Sequence, residues 1–370
     1  IIFGHKFIFF VQIAVFRQIC MQPWPTNKME LDGVAPHLVS QPSGIDLALV
    51  EQERRSNLRN GPTTQAAARD WPELLVDNAL DGDADGEGHL SHAADLIQSG
   101  LVVESDFSGG GGGEIGISAL VQYIVTTFNL ISNFILYRSG DLLDCARQSL
   151  MHTDWTSGPP HVTGNILKVV PEQVRCSLDA LHERGIAAFH AALDAGTPRS
   201  EAAANVGDGF MADALDALHA VDFLERSVTW CYKCGKLCTL HCHTLYPDAT
   251  RLMIAGTACC PFSAMSKSKL KFACRTAVAA LVWAFSVAAT MPHYAIHECV
   301  PGFTLHWFTK ILVETMLYQM KTCVWCISKQ GDPSRRRRRY TVFTRQDCIA
   351  LVVDYTLAEL EHRFFYQTML

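Results

Sequence analysis

A cysteine in the setting of a nucleophile lies in the C-terminal half of the chain. Cys259 stands in the segment GTACCPFS (256–263), directly after the apolar run RLMIAG at 251–256. This run predicts a buried parallel strand, which puts Cys259 at the sheet edge where open α/β sheets bind ligands. A thiol in a turn lined by backbone N–H groups can be held partly as thiolate and act as a nucleophile. A buried structural cysteine is the alternative that this segment alone leaves open.

An acid and a run of arginines follow, each beside a predicted strand. Glu298 ends the apolar part of YAIHECV (294–300), so a parallel sheet brings its carboxyl next to the cysteine loop. The arginines at 335–339 lead into YTVFT (340–344), which predicts one arm of an antiparallel pair. Because side chains alternate along a strand, Arg336 and Arg338 share one side. Five arginines alone are also typical of a nuclear-targeting or solvated basic run.

A glycine-rich turn predicts a nucleotide-type site. LVVESD (101–106) indicates a strand that ends in an acid and runs into Ser108 and five glycines at 109–113. Glycines let the backbone approach a ligand, and the N-terminus of the helix that follows offers unpaired N–H groups. Asp141, at the end of the next predicted strand, would then bind ribose hydroxyls. A flexible linker is the alternative interpretation of the glycine run.

The elements that position these residues alternate between strands and helices from residue 101 onward. This pattern predicts a doubly wound, Rossmann-like α/β sheet with flanking helices. The strands are expected at 101–106, 133–141, 251–256, 294–300, 321–327 and 340–344, and the helices at 114–129, 142–151, 273–290 and 303–318, with two or three more within 170–225. Residues 1–100 are expected to be a loosely ordered N-terminal extension and a possible fragment edge. Residues 101–370 would form a catalytic domain with a helical, Cys/His-rich insert at about 168–248.

The insert carries a candidate metal site. Its pattern is Cys231-x-x-Cys234-x-x-x-Cys238-x-x-His241-Cys242-His243. Thiolates and imidazoles at such short spacing can close a tetrahedral zinc site. The predicted ligands are Cys231, Cys234, Cys238 and Cys242. Reduced cysteines in a turn-rich surface loop are the alternative.

Composition limits the classes of function. The net charge of −6 excludes a protein that coats nucleic acid through bulk charge, so any such contact must come from local basic clusters. The 14 cysteines occur in a chain that is 49% apolar and needs no disulfide scaffold, which indicates a reducing compartment, nuclear or otherwise intracellular. Residues 117–137 contain several polar side chains, and 277–291 are too short to span a bilayer. Both are expected to be buried elements, with no membrane contact.

Taken in chain order, these segments resemble the DNA (cytosine-5) methyltransferase family. Five segments carry the likeness: Asp106-Phe107-Ser108-Gly109-Gly110-Gly111 is similar to the family's Asp-x-Phe-x-Gly-x-Gly turn, Gly164-Asn165-Ile166 to Gly-Asp-Ile, Thr257-Ala258-Cys259 with Phe262-Ser263 to the Pro-Pro-Cys loop and its Phe-Ser, Glu298-Cys299-Val300 to Glu-Asn-Val, and Ser334-Arg335-Arg336-Arg337-Arg338 to Gln-x-Arg-x-Arg. They span residues 101–345 in the family's order. The combination is specific, although no single segment is.

The chain also departs from the family pattern. Both prolines of the nucleophile loop are replaced, Cys260 stands where a Gln is usual, and Asn165 stands where an Asp is usual. A long insert separates Asn165 from Cys259, where the family commonly has a short connection. Neither a target-recognition domain nor a closing Gly-Asn-Ser motif follows Thr344. A truncated, divergent or decayed member is therefore expected.

The resemblance implies transfer of a methyl group from S-adenosylmethionine to C5 of cytosine in DNA, with the base flipped out of the duplex. It implies that Cys259 attacks C6 and that Glu298 holds the proton at N3. Arg338, with Arg336, would contact the O2 edge of the base. The cofactor-binding residues that it implies are Phe107, Ser108, Gly109, Gly111, Asp141, Asn165 and Ile166. Two alternatives stay open: an RNA cytosine-5 methyltransferase, and a catalytically inactive, zinc-stabilised nucleic-acid-binding protein.

Overall fold

A computed structural model of the chain describes residues 86–109, 111–152, 159–224, 228–258, 262, 271–274, 276–326 and 337–346. Within these residues one nine-stranded sheet has the strand order β5-β4-β3-β2-β1-β6-β7-β9-β8. The strands are β1 Leu101–Asp106, β2 Phe134–Gly140, β3 His161–Thr163, β4 Val228–Cys231, β5 Lys236–Thr239, β6 Thr250–Gly256, β7 Tyr294–Cys299, β8 Tyr318–Cys326 and β9 Arg337–Arg345. The central five strands, β3-β2-β1-β6-β7, are all parallel. Antiparallel hairpins extend the sheet at both ends, β4–β5 beyond β3 and β8–β9 beyond β7.

Six longer helices in the described part of the chain accompany the sheet. They are α1 Gly86–Ser99, α2 Gly112–Phe128, α3 Asp144–His152, α4 Glu172–Asp194, α5 Arg199–His219 and α6 Thr276–Thr290. Short helical turns lie at Ile166–Val169, Lys271–Ala273, His306–Phe308 and Thr309–Val313. None of the described helices is both long and apolar enough to cross a membrane.

Helix α1 lies before residue 100, within the segment that the sequence predicted to be a loosely ordered extension. Its residues Ala93, Ala94, Leu96 and Ile97 are buried, and it packs against α2 and β1. The packed part of the domain therefore begins before the predicted boundary. The predicted states of residues 1–85 lie outside the described residues.

Apolar side chains cover both faces of the central strands. On β6, Met253 and Ala255 face the larger core, which contains the almost fully buried helix α6. Leu252 and Ile254 are also buried and, since side chains alternate along a strand, point to the opposite face. A mainly parallel sheet buried on both faces is the doubly wound α/β fold that the sequence predicted. The predicted fold class is confirmed.

One local prediction needs revision. The helix predicted at 303–318 is confirmed over half of its length, at 306–313, and is wrong over the rest. Met316 then takes a left-handed conformation, with φ of +60°, and the chain enters β8 at Tyr318. The insert contains two helices in the predicted range, α4 and α5, and part of its Cys/His-rich segment forms the β4–β5 hairpin, which joins the sheet.

A fully buried guanidinium ties the central strands together. Arg138 on β2 makes a two-pronged contact with Asp106 on β1, with N–O distances of 2.6 and 3.0 Å. Glu104, two residues earlier on the same face of β1, lies 3.6 Å from Arg138. His241 Nδ1 lies 3.1 Å from the Glu104 carboxylate, which also accepts the backbone N–H of Cys242 at 2.6 Å. The network crosses from β2 through β1 to the chain that follows β5.

This network predicts an acid-sensitive fold. Burial alone would raise the pKa of Glu104, but the hydrogen bond from His241 and the charges of His241 and Arg138 outweigh it and lower the pKa to about 2. The ionised carboxylate therefore stabilises the fold above pH 4.5, and this contribution is lost as pH falls towards 2. A shift from 4.5 to about 2 corresponds to about 3 kcal/mol, at about 1.4 kcal/mol per pKa unit.

The measurement compares urea unfolding of the wild type and Glu104→Gln at several values between pH 5 and pH 2. The wild type should lose about 3 kcal/mol more of its free energy of unfolding across this interval than the variant. Parallel pH curves for the two proteins would show that Glu104 does not carry this dependence.

Candidate active site

The sheet has its topological switch point between β1 and β6. From β1 the chain passes through α2 to β2 on one side, whereas from β6 it passes through α6 to β7 on the other. The connections leave the two strands in opposite directions, which opens a crevice at their carboxyl ends, where doubly wound sheets bind ligands. The glycine-rich turn follows β1 at this edge, and the segment leading to Cys259 follows β6.

The glycine-rich turn is fixed to the end of β2 by hydrogen bonds. Ser108 donates its backbone N–H to the Gly140 carbonyl at 2.9 Å, and the Gly140 N–H donates to Ser108 Oγ at 3.2 Å. The Gly109 N–H donates to Asp141 Oδ2 at 2.8 Å. Gly109 and Gly111 have φ of +56° and +83°, values that glycine adopts without strain. The predicted turn, strand and acid are therefore one physical unit.

The turn has the features of a cradle for a ligand. A Cβ built on Gly109 would meet no heavy atom within 4 Å, so this side of the turn is open. Helix α2 begins right after Gly111, which makes no side-chain cap bond, so the positive end of the helix dipole faces the same turn. Asp141 Oδ1 accepts the Leu143 N–H at 2.8 Å. Each Asp141 oxygen thus has one protein donor and one further acceptor position suited to a ribose hydroxyl.

Three of the predicted cofactor residues also serve the protein's own packing. Phe107 has φ of +56°, unusual for a residue with a Cβ, and packs half-buried against the larger core, as does Ile166. Asn165 Oδ1 accepts the Leu167 N–H at 3.0 Å and caps the turn Ile166–Val169. A cleft of about 260 Å³ is lined by Asn165, Leu167 and residues of α4 and α6. Contact of Phe107, Asn165 and Ile166 with a cofactor stays a prediction.

Sequence reasoning missed a clamp on the loop that precedes Asn165. Tyr232 lies against Gly164, since a Cβ built on that glycine would be 3.0 Å from Tyr232 Cε2. The guanidinium of Arg147 stacks over the Tyr232 ring, 4.4 Å from its centre. Arg147 also donates to the Asp141 carbonyl at 3.1 Å. The loop at 164–166 and the end of β2 are thereby held side by side.

The acid and one of the arginines meet at the neighbouring strand end. Arg338 Nε lies 2.7 Å from Glu298 Oε1, and the two side chains are 14% and 21% exposed. Glu298 on β7 is paired in register with Gly256, the last residue of β6. A Cβ built on Gly256 would be 3.4 Å from Glu298 Oε2 and 3.5 Å from the Phe107 carbonyl oxygen. Carboxylate, guanidinium and glycine-rich turn therefore lie at one edge of the sheet.

The arginine run is not simply a solvated tail. Of its described members, Arg338 pairs with Glu298, and Arg339 donates to the Phe303 carbonyl. Arg337 is exposed. Arg336, which the alternation of β9 predicts to lie on the side of Arg338, is outside the described residues, as is Cys259.

A second contact that the sequence did not reveal fixes the start of the cysteine loop. Thr257 is buried, and its Oγ1 lies 2.6 Å from Nε2 of the fully buried His297. Burial, reinforced by the charge of Arg339, lowers the pKa of His297 to about 3. The imidazole is therefore neutral near pH 7 and can accept a hydrogen bond from Thr257, two residues before Cys259. The sequence signals the contact between Thr257 and His297 only by placing a histidine inside an apolar run, one residue before Glu298.

The cysteines of the insert form a different set from the predicted one. Ligand atoms of His161, Cys231, Cys234 and Cys238 all lie within 4.8 Å of one another. Cys242 lies elsewhere: its side chain packs with Val102 and Tyr137 in a small core, and burial raises the pKa of its thiol. Cys242 lies apart from the other cysteines because its backbone N–H donates to the Glu104 carboxylate, which holds this residue next to β1. The predicted ligand Cys242 therefore lies outside this cluster, and His161, at the start of β3, is its fourth member.

Comparison with known proteins identifies no family for this chain. The sequence matches no known protein-family profile and no curated protein. Similar solved structures include a methyltransferase of Entamoeba histolytica, 13% identical with a TM-score of 0.37 over 70% of this chain and 57% of that one. Another is a protein assigned as a DNA modification methyltransferase, encoded within an Escherichia coli prophage, 14% identical with a TM-score of 0.34 over 69% of this chain and 49% of that one. The chain spans about half the length of these proteins.

Proposed function

We propose that this chain transfers a methyl group from S-adenosylmethionine to C5 of cytosine in DNA. The observation that carries the proposal is the Glu298–Arg338 pair, 2.7 Å apart, at the sheet edge that also holds the glycine-rich turn. The segment leading to Cys259 leaves the strand between them. An acid, a guanidinium and a thiol around one crevice are the groups needed to activate a pyrimidine ring.

The reaction must first raise the electron density at C5 of the cytosine ring, because C5 alone is a poor nucleophile. The Cys259 thiolate adds to C6, forming an S–C6 bond, while the electron pair of the C5–C6 double bond moves towards C5. Glu298 holds the proton at N3, which neutralises the charge that develops on the ring. Arg338, with Arg336, holds O2 of the base. After methylation, solvent water takes the C5 proton, the C–H electron pair re-forms the C5–C6 double bond, and the S–C6 bond breaks to release the Cys259 thiolate.

The residues of the glycine-rich turn fit the proposed cofactor. Gly109 and Gly111 would line its methionine part, Asp141 would accept its ribose hydroxyls, and Phe107 and Asn165 with Ile166 would contact its adenine. The open side of Gly109 and the start of α2 directly after this turn support this fit. When bound, S-adenosylmethionine supplies an electrophilic methyl group on a sulfonium.

A mechanism-based trap tests the proposal. A random-sequence DNA pool in which 5-fluorocytosine replaces cytosine would be incubated with the protein and S-adenosylmethionine. Fluorine at C5 cannot leave as a proton does, so the adduct with Cys259 should persist through denaturing electrophoresis. Cys259→Ala should abolish this adduct. The matched control is Cys260→Ala, which removes the adjacent thiol and should leave the adduct in place.

The result also separates the alternatives. An adduct with a 5-fluorocytosine RNA pool but none with DNA would overturn the assignment of DNA as substrate. No adduct with either pool, or an adduct that survives in Cys259→Ala, would overturn covalent cytosine methylation through this cysteine.

A further inference from the structure

Four metal-binding side chains converge at the outer end of the sheet, away from the switch point. Cys231 ends β4, Cys234 lies in the turn that follows, and Cys238 lies on β5, so all three belong to one hairpin. His161 belongs to the first position of β3, far upstream in the sequence. His161 Nδ1 lies 3.5 Å from Cys234 Sγ and 3.8 Å from Cys231 Sγ. Their ligand atoms all fall within 4.8 Å of one another, which is the size of a metal coordination sphere.

Contacts of neighbouring residues hold the hairpin turn against the segment that carries His161. Cys231 is paired with Thr163 across the β3–β4 ladder, and the Tyr232 N–H donates to the Val162 carbonyl at 2.8 Å. Lys233 Nζ donates to the Pro159 carbonyl at 2.9 Å. The hairpin turn is therefore locked onto the segment that carries His161. The ligands are presented to a common point by rigid elements, as a structural metal site requires.

The ligand chemistry selects the ion. Three sulfurs and one imidazole nitrogen match the Cys₃His set of structural zinc sites, and soft thiolates disfavour Mg²⁺ and Ca²⁺. Three thiolates around Zn²⁺ leave one net negative charge, and two exposed lysines lie on the same hairpin, Lys233 in the turn and Lys236 at the start of β5. Four protein ligands would fill a tetrahedron and leave no position for a substrate.

We propose that His161, Cys231, Cys234 and Cys238 bind one structural zinc ion that fastens the β4–β5 hairpin to β3. The ion cross-links β3 to a hairpin that follows it only after helices α4 and α5, and closes the outer end of the parallel part of the sheet. This inference is independent of methyl transfer, because none of the four side chains belongs to the candidate active site.

The first experiment measures zinc in the full chain, purified without chelator under reducing conditions, by plasma mass spectrometry. The wild type should contain about one zinc per chain, and His161→Ala and Cys238→Ser should each lose most of it. Cys176→Ser removes an exposed cysteine outside the cluster and should keep the full content. His161→Cys should retain zinc, since Cys₄ is also a closed zinc set.

The proposed ligand set differs in one residue from the set that the sequence pattern suggested. If Cys242 rather than His161 were the fourth ligand, His161→Ala would keep zinc and Cys242→Ser would lose it, which would overturn the assignment. Because Cys242 is buried and its variant can fail to fold, Co²⁺ substitution provides a second measurement. The wild type should show the visible bands of tetrahedral cobalt with thiolate ligands, and these should change in His161→Cys and persist unchanged in Cys176→Ser.

A third readout follows the hairpin itself. Removal of zinc by a chelator should speed tryptic cleavage after Lys233 and Lys236, with little effect at the exposed Arg184 on α4. Absence of zinc and of cobalt bands in protein with reduced thiols would overturn the proposal, as would a disulfide among the three cysteines. A protein that binds zinc but forms no adduct with 5-fluorocytosine would leave this inference intact and reject the proposed function.

Discussion

Replacement of Arg138 by methionine is expected to lower the free energy of unfolding by about 3–5 kcal/mol, the usual cost of leaving a buried charge without its partner. Arg138 is 1% exposed and lies between two buried carboxylates, Asp106 at 2.6 Å and Glu104 at 3.6 Å. Methionine keeps much of the side-chain volume, so the loss reports the charge and not a cavity. Both carboxylates would have to take up protons or water to remain inside the sheet.

Urea unfolding at pH 7, followed by circular dichroism, measures this effect. The matched control is Arg184→Met on α4, which removes an exposed arginine and should change stability by no more than about 0.5 kcal/mol. Arg138→Lys keeps the charge without the planar fork and should fall between the wild type and Arg138→Met. Equal stability of Arg138→Met and Arg184→Met would mean that the network does not hold β1 to β2.

Replacement of Glu298 by glutamine is expected to slow methyl transfer to cytosine by about 10²- to 10⁴-fold, the usual contribution of a positioned acid or base. Under the proposed function Glu298 holds the N3 proton during attack by Cys259, and glutamine keeps the shape but cannot ionise or exchange a proton. Fold stability should change little, because the Glu298–Arg338 pair is partly exposed.

Transfer of a radioactive methyl group from S-adenosylmethionine to DNA gives the rate. The expected pattern is a loss in kcat with little change in cofactor binding, since Glu298 is not among the proposed cofactor residues. Glu314→Gln, an exposed acid in the turn before β8, is the control and should behave as wild type. A Glu298→Gln enzyme as fast as the control would remove Glu298 from the reaction.

The central sheet could be predicted because its strands carry their own signals. LVVESD and RLMIAG are short, apolar and bounded by turn residues, and both form strands close to the predicted ranges. Their order along the chain also predicted that acids and glycines would follow strands at one edge. That part of the candidate site depends only on local pattern and on the rule that parallel strands share an edge.

The remaining features depend on pairing between distant segments, which a single sequence does not encode visibly. Strand β3 has three residues, too few for a periodic signal, so the position of His161 opposite the β4–β5 hairpin could not be expected. The burial of Arg138 depends on Asp106 from another strand. The helical turns end near Met316, whose backbone is left-handed, and a methionine does not signal this conformation in the sequence.

The position of β1 at the switch point has a consequence for how the chain folds. Leu101 pairs with Phe134 on one side, a local partner, and with Thr250 on the other, which is synthesised only after the whole insert. Ordering such a distant pair loses much chain entropy before any contact compensates, so the sheet should close slowly. Until β6 arrives, an apolar strand edge stays open in the middle of the domain. Low temperature and slow synthesis should therefore favour recovery of folded protein over aggregation.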